Sequence, residues 1–197
     1  MSWNYAVELP NGALGKRQMA LTEDLVTFEG KNIALSQVDE VMVNVVRQYV
    51  NGIPTQTSYE ITLAGAAEKL KLKWMVASLQ KKETKEFCEQ AYQVLMDLIF
   101  AKVGPKVVAS YLSAAGPTKL SALEFSPAGI QVKGLINRKQ APWSAIAGVT
   151  TAPGSLDIKY FNEQGKEKTL ANISLIEANA CFLPQIIGEL RAKYVQG

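Results

Sequence analysis

Apolar and polar residues alternate along most of the chain, and the alternation gives way twice to a helical spacing of three and four. Residues 68–74 are the clearest alternating run: Leu70, Leu72 and Trp74 fall on one face of a strand, and Lys69, Lys71 and Lys73 on the other. Half-buried strands are likewise predicted over 59–63 and 156–160, and a further strand over 168–173. The period then changes. Phe87, Ala91, Leu95 and Leu98 recur at helical spacing, with Thr84 as the predicted N-cap. Gly104-Pro105 reads as a helix stop and a new start, predicting a short second helix from Pro105 to about Ala114. Near the C-terminus Ser174 and Glu177 have capping-box spacing, Ile186, Ile187 and Leu190 give an apolar face, and Pro184 predicts a kink or a fresh start.

The chain resembles itself. Residues 33–41 match 141–149 at an offset of 108, which pairs Leu35 with Trp143, Ser36 with Ser144, Val38 with Ile146 and Val41 with Val149. Upstream, 21–28 match 125–132 at an offset of 104, so the second copy has a hairpin loop four residues longer, around Gly134 to Lys139. Residues 59–63 match 156–160. Between these segments the first copy inserts the longer stretch 44–58 where the second has 150–155. Asn51-Gly52 inside it is a favoured hairpin turn, so a protruding hairpin is predicted, either a recognition element or simply a longer turn.

Strands followed by a helix, twice over, predict an α+β protein with no helix between successive strands. The expected organisation is a first domain over 1–104, a connecting helix and linker over 105–116, and a second domain over 117–197. Each is expected to be an antiparallel, strand-rich, partly closed barrel capped by its C-terminal helix. A single continuous sheet with two helices is the competing arrangement.

Each copy resembles a pleckstrin-homology-like (PH-like) domain. Residues 128–132 and 141–146, with Trp143 ahead of Ile146, are similar to the opening strands of bacterial PH and GRAM-like domains. The resemblance covers roughly 1–103 and 117–197 and rests mostly on core pattern. It implies a platform that binds lipids, peptides or partner proteins and seldom catalyses. Phosphoinositide-binding members carry basic residues in the first hairpin, which here would be Lys133, Arg138 and Lys139, with Lys16 and Arg17 near the corresponding turn of the first copy.

Composition narrows the function further. The 197 residues contain no histidine, which removes Ser-His and Cys-His nucleophilic machinery and His-ligated metal sites. Cys88 and Cys181 lie far apart, make no CxxC pair, and are expected to be buried, inert thiols. No glycine pattern forms a phosphate cradle, and the acidic pairs Glu23-Asp24 and Asp39-Glu40 point to opposite strand faces. Hydrophobic residues make up 48% of the chain, yet no run is long enough to span a membrane and no secretory signal opens it, so a cytoplasmic location is expected. Net charge is +3: residues 1–104 hold 11 Lys/Arg against 12 Asp/Glu, and residues 105–197 hold 10 against 6. That excess is too mild and too scattered for a nucleic-acid binder.

The binding candidates are therefore Lys133, Arg138 and Lys139 in the second-copy hairpin, and the strip Lys69, Lys71 and Lys73. Each group has a plainer reading: the hairpin as a solvated turn, the strip as outward lysines that protect a sheet edge. Trp74 and Trp143 are expected in the core. The sequence thus points to a non-enzymatic scaffold or adaptor of two PH-like domains that binds a protein partner and needs no cofactor or metal. Peripheral attachment to anionic membrane lipid through the basic second domain is the alternative, and an enzyme of unrecognised type stands last.

Overall fold

The computed structural model describes residues 3–133, 139–152 and 154–195. The chain divides into two compact units, Met1–Pro105 and Lys106–Gly197.

In the first unit four strands, β1 (Asn4–Pro10), β2 (Lys16–Thr22), β3 (Leu25–Phe28) and β4 (Lys31–Ala34), form an antiparallel meander. A one-turn 3-10 segment, Leu35–Gln37, leads into a second antiparallel meander of β5 (Glu40–Val50), β6 (Ile53–Ala64) and β7 (Lys69–Ala77). Helix α1 (Lys82–Lys102) follows. Alternation decides which face goes inward: Val41 and Val43 on β5, Ile61 and Leu63 on β6, and Leu70, Leu72 and Trp74 on β7 are all buried. Strand β7 packs against β1, β3 and β4, and α1 lies against β1, β7 and the 3-10 segment. Its buried stripe is Cys88, Ala91, Leu95, Met96 and Ile99.

The second unit runs in the same order. Strands β8 (Thr118–Leu120), β9 (Leu123–Ser126), β10 (Gly129–Val132) and β11 (Lys139–Ala141) form one antiparallel sheet. A 3-10 segment, Trp143–Ala145, leads to the sheet of β12 (Ile146–Ala152), β13 (Ser155–Phe161) and β14 (Glu167–Ser174). A further 3-10 turn, Ala180–Phe182, opens into α3 (Leu183–Val195). Helix α2 (Gly104–Leu112) carries the chain across the boundary. The core is centred on Trp143, which stacks on Phe125 at 6.4 Å and on Tyr194 at 6.0 Å, and whose Nε1 donates to Ser126 O at 2.8 Å. Lys193 Nζ donates to Leu112 O at 2.6 Å, satisfying a carbonyl at the end of α2.

The repeat keeps register through both sheets' junctions. Leu35 and Trp143 each open a 3-10 segment between the two sheets, and Val38 and Ile146 are buried just beyond it. The offset-104 match places the β2–β3 turn opposite the β9–β10 turn.

Several expectations are corrected. The α+β class stands, but among the described residues the ladders make four open sheets and no closed barrel. In the first unit the corner is closed by side-chain packing of β7 on the first sheet, with one isolated bridge from Asn11 to Met75. Trp143 sits in the 3-10 segment, not a strand, because Pro142 and Ala145 close a turn through Ala145 N–Pro142 O. Helix α1 starts a turn earlier than expected, at Lys82 with Lys81 as its cap, so Thr84 is already helical. On its buried face Cys88 and Ile99 join the expected Ala91 and Leu95, whereas Phe87 and Leu98 are half-buried. Ser174 and Glu177 form a tight turn (Glu177 N–Ser174 O, 3.1 Å), and the helix starts only at Leu183. Pro184 occupies its first turn, where a missing N–H costs nothing.

Candidate functional site

The basic residues singled out in the sequence are mostly held by carboxylates. Lys133 follows β10 and pairs with Glu124 of β9 at 2.5 Å. Lys139 is the first residue of β11, exposed and opposite Val132. Arg138 and Gly134 lie outside the described residues. In the first unit, Lys16 pairs with Glu8 at 2.7 Å and Arg17 with Glu29 at 2.8 Å. The Arg17 hydrogen bond, with a second from Gln18 N–H, holds the Glu29 carboxyl below the usual carboxylate range. With its side-chain amide turned to match donors and acceptors, buried Asn11 also accepts from Arg17. Arg17 is thus tied into the sheet.

Lys69, Lys71 and Lys73 do share the outer face of β7. Glu60, on the neighbouring strand, lies 2.7 Å from Lys71 and 3.6 Å from Lys73, and the Lys71 hydrogen bond lowers its pKa. The strip is one carboxylate short of a plain basic surface. The strip and the second-unit hairpin belong to different units.

A different feature dominates the first unit. The β5–β6 hairpin is joined by Asn51-Gly52, both at positive φ (51° and 79°), the backbone that a two-residue hairpin turn of this twist requires. The hairpin runs on past the end of β7. The last β6–β7 rung pairs Gln56 with Ala77, and Ser78 N then donates to Thr55 O at 2.8 Å. A bulge at Gln48/Tyr49 resets the register, so the tip pairs Tyr49 with Pro54 and Val50 with Ile53. Tyr49, Val50 and Ile53 are exposed by 56%, 60% and 67%, and Leu79, in the turn after β7, is fully exposed.

Behind this tip lies a cleft of about 280 Å³, lined by Arg47, Thr57, Tyr59, Val76, Lys85 and Glu89 among others. Tyr59 forms its inner wall, stacked on Trp74 at 5.2 Å and tilted against Tyr92 at 5.5 Å. Burial pushes the Tyr59 phenol up to about 12; Glu89 adds to the shift and Arg47 opposes it. Lys85 Nζ donates to Ser78 O at 2.5 Å, fixing the start of α1 to the end of β7.

Sequence reasoning placed the insertion 44–58 and its turn, but not the cleft, whose walls come from β5, β6, β7 and α1. Nor did it single out Leu79, an isolated apolar residue in a turn. Reactive chemistry is sparse here. Cys88 and Cys181 are buried thiols pushed up by that burial to about 11 and about 12, far from the thiolate a nucleophile needs. Among the described residues no three Cys, Asp or Glu side chains converge as a metal site, and no helix is long and apolar enough to cross a membrane.

No family model matches the chain, and no curated protein matches it.

Proposed function

We propose that the protein is a non-catalytic binding module in which two PH-like units in tandem scaffold a protein partner. The element order supports the reading: four strands, a 3-10 turn, three strands and a helix, twice. The single observation that carries the partner contact is β5. Among the described residues it is an outer strand of eleven residues laddered to β6 alone, and it is exposed from Val46 onward. Its counterpart β12 is shorter, and α3 packs on it. The exposed half of this outer strand, from Val46 onward, can present backbone N–H and C=O groups to an extended segment of a partner, with Asn44, Val46 and Gln48 setting specificity on alternate positions.

A photo-crosslinking residue placed at Val46, and in a second variant at Thr151 on β12, tests this in the source cell. The reading predicts a discrete protein adduct from Val46 and none from Thr151. Adducts from Thr151 alone, or from neither position, would count against it.

A further inference from the structure

We propose that the tip of the β5–β6 hairpin, with Leu79 beside it, docks on an anionic lipid surface. This goes beyond the protein contact along the β5 edge and uses different residues.

The first argument is the distribution of apolar side chains. Consecutive strand residues point to opposite faces, so the Tyr49–Pro54 pair lies on one face of the tip and the Val50–Ile53 pair on the other. A protein partner covers one face and leaves its opposite in water. A lipid interface wets both at once, and a convex two-stranded tip with apolar side chains all round suits it. Tyrosine, with an apolar ring and a polar hydroxyl, favours that depth. Leu79 adds a further apolar side chain, beside the point where the hairpin leaves the sheet, through the Ser78–Thr55 hydrogen bond.

The second argument is charge. Exposed Arg47 stands below the tip on β5, and Lys81 and Lys82 open α1 next to Leu79. Glu83 shares that first turn, and Lys82 pairs with Glu86 at 3.4 Å one turn further on. Lys85 and Glu89 line the cleft beside Arg47, so around the tip four basic side chains (Arg47, Lys81, Lys82, Lys85) stand against three carboxylates (Glu83, Glu86, Glu89), and the N-terminus of a 21-residue helix adds to the positive side. Basic side chains at the level of the headgroups, behind apolar ones that enter the interface, are the complement of an anionic bilayer. The second unit lacks the arrangement among its described residues: toward its end β12 exposes Thr150 and Thr151 before half-buried Ala152, which pairs with Ser155 at the start of β13.

The test uses the full chain and vesicles of phosphatidylcholine with or without about 30% phosphatidylserine. Ile53→Cys carries an environment-sensitive dye, since the native thiols are buried. The dye should shift to the blue with anionic vesicles only, and the protein should float with them. Val50→Asp with Ile53→Asp should weaken flotation at least about tenfold, and Arg47→Glu with Lys81→Glu should weaken it most at low salt. Thermal melting should stay unchanged in each, because every altered side chain is exposed. The proposal is overturned if the wild type never floats, or if both double variants float as well as wild type. It is equally overturned if a dye at Thr151→Cys shifts instead, or if Val50→Asp with Ile53→Asp only dissolves a dimer of the chain. A Val46 crosslink that persists in a non-floating variant separates this contact from the protein contact.

Discussion

At the same place in their element order the two units treat their second sheet differently. In the first unit β5 and β6 run to eleven and twelve residues and carry their turn past the end of β7. In the second, β12 and β13 stop at seven residues each. The helices differ in step. α1 lies on β1, β7 and the 3-10 segment, whereas α3 lies on β12 and its own 3-10 segment, covering the strand that corresponds to β5. One architecture can thus be closed at its outer strand or left open there, and the open copy is the one that carries exposed apolar residues on an extended tip. The tryptophans follow the same division. Trp143 is stacked between two rings and hydrogen-bonded, while Trp74 is wholly buried and its Nε1 has no partner among the described residues. The first core gives up a hydrogen bond to fill its centre; the second does not.

The largest expected effect probes the two cores. Trp143→Ala should destabilise the second unit by about 3–5 kcal/mol, the usual loss for emptying a large core position. A loss below about 1 kcal/mol in chemical denaturation would show that the ring does not anchor that core.

Next come two glycines that bring the chain close to the 3-10 segments. A Cβ on Gly65 would meet Gln37 O at 2.1 Å, and one on Gly129, at φ 138°, would meet Ala141 O at 2.1 Å. Backbone cannot yield as a side chain does, so Gly65→Ala and Gly129→Ala should each cost roughly 2–3 kcal/mol. If only one of them does, the two junctions are not built alike.

The thiols separate the units by pH. Burial raises Cys88 and Cys181 above their ordinary 9.0, to about 11 and about 12. The folded state therefore holds its thiol protons longer than the unfolded chain. Their contribution is full below pH 9.0 and falls as pH rises toward those values. Denaturation midpoints measured from neutral to strongly alkaline pH should drop by on the order of 2 kcal/mol. Native protein at mildly alkaline pH should react with a thiol reagent only at the rate of unfolding. Fast labelling of either cysteine would contradict the burial argument.

A finer comparison comes from replacing each indole with a benzene ring. Trp143→Phe removes the indole donor to Ser126 O, whereas Trp74→Phe removes an N–H with no partner among the described residues. The first should cost about 1 kcal/mol more than the second in matched denaturation curves. Equal losses would mean that the hydrogen bond contributes nothing net.

How far these differences are legible in the sequence depends on how local their cause is. The Leu70, Leu72 and Trp74 alternation and the Asn51-Gly52 turn are local, and both lie where the pattern puts them. The matched pairs Leu35 with Trp143 and Val38 with Ile146 come from the same source. Thr84 has good capping chemistry, yet α1 begins at Lys82; the Ser174–Glu177 pair caps no helix, and α3 makes at Leu183 the fresh start that Pro184 predicts. The partners of the charge candidates are hidden from the sequence for a related reason. Cross-strand neighbours such as Glu124 beside Lys133, or Glu60 beside Lys71, are distant in sequence and need the register before they can be seen. The cleft around Tyr59 is invisible for the same reason, being assembled from four elements.

The smallest expected effect on stability accompanies the most direct test of the account. Replacing residues 49–55 by a bare Asn-Gly turn, which keeps the Gln48–Gln56 pair, should change folding free energy by less than about 0.5 kcal/mol, because the removed side chains are exposed. Flotation of that variant on anionic vesicles, beside a Lys133→Glu, Arg138→Glu, Lys139→Glu variant of the second unit, asks which unit makes the contact. The account predicts that the shortened hairpin abolishes flotation while the charge-reversed second unit keeps it. Flotation that survives the shortening and is lost on charge reversal would contradict it.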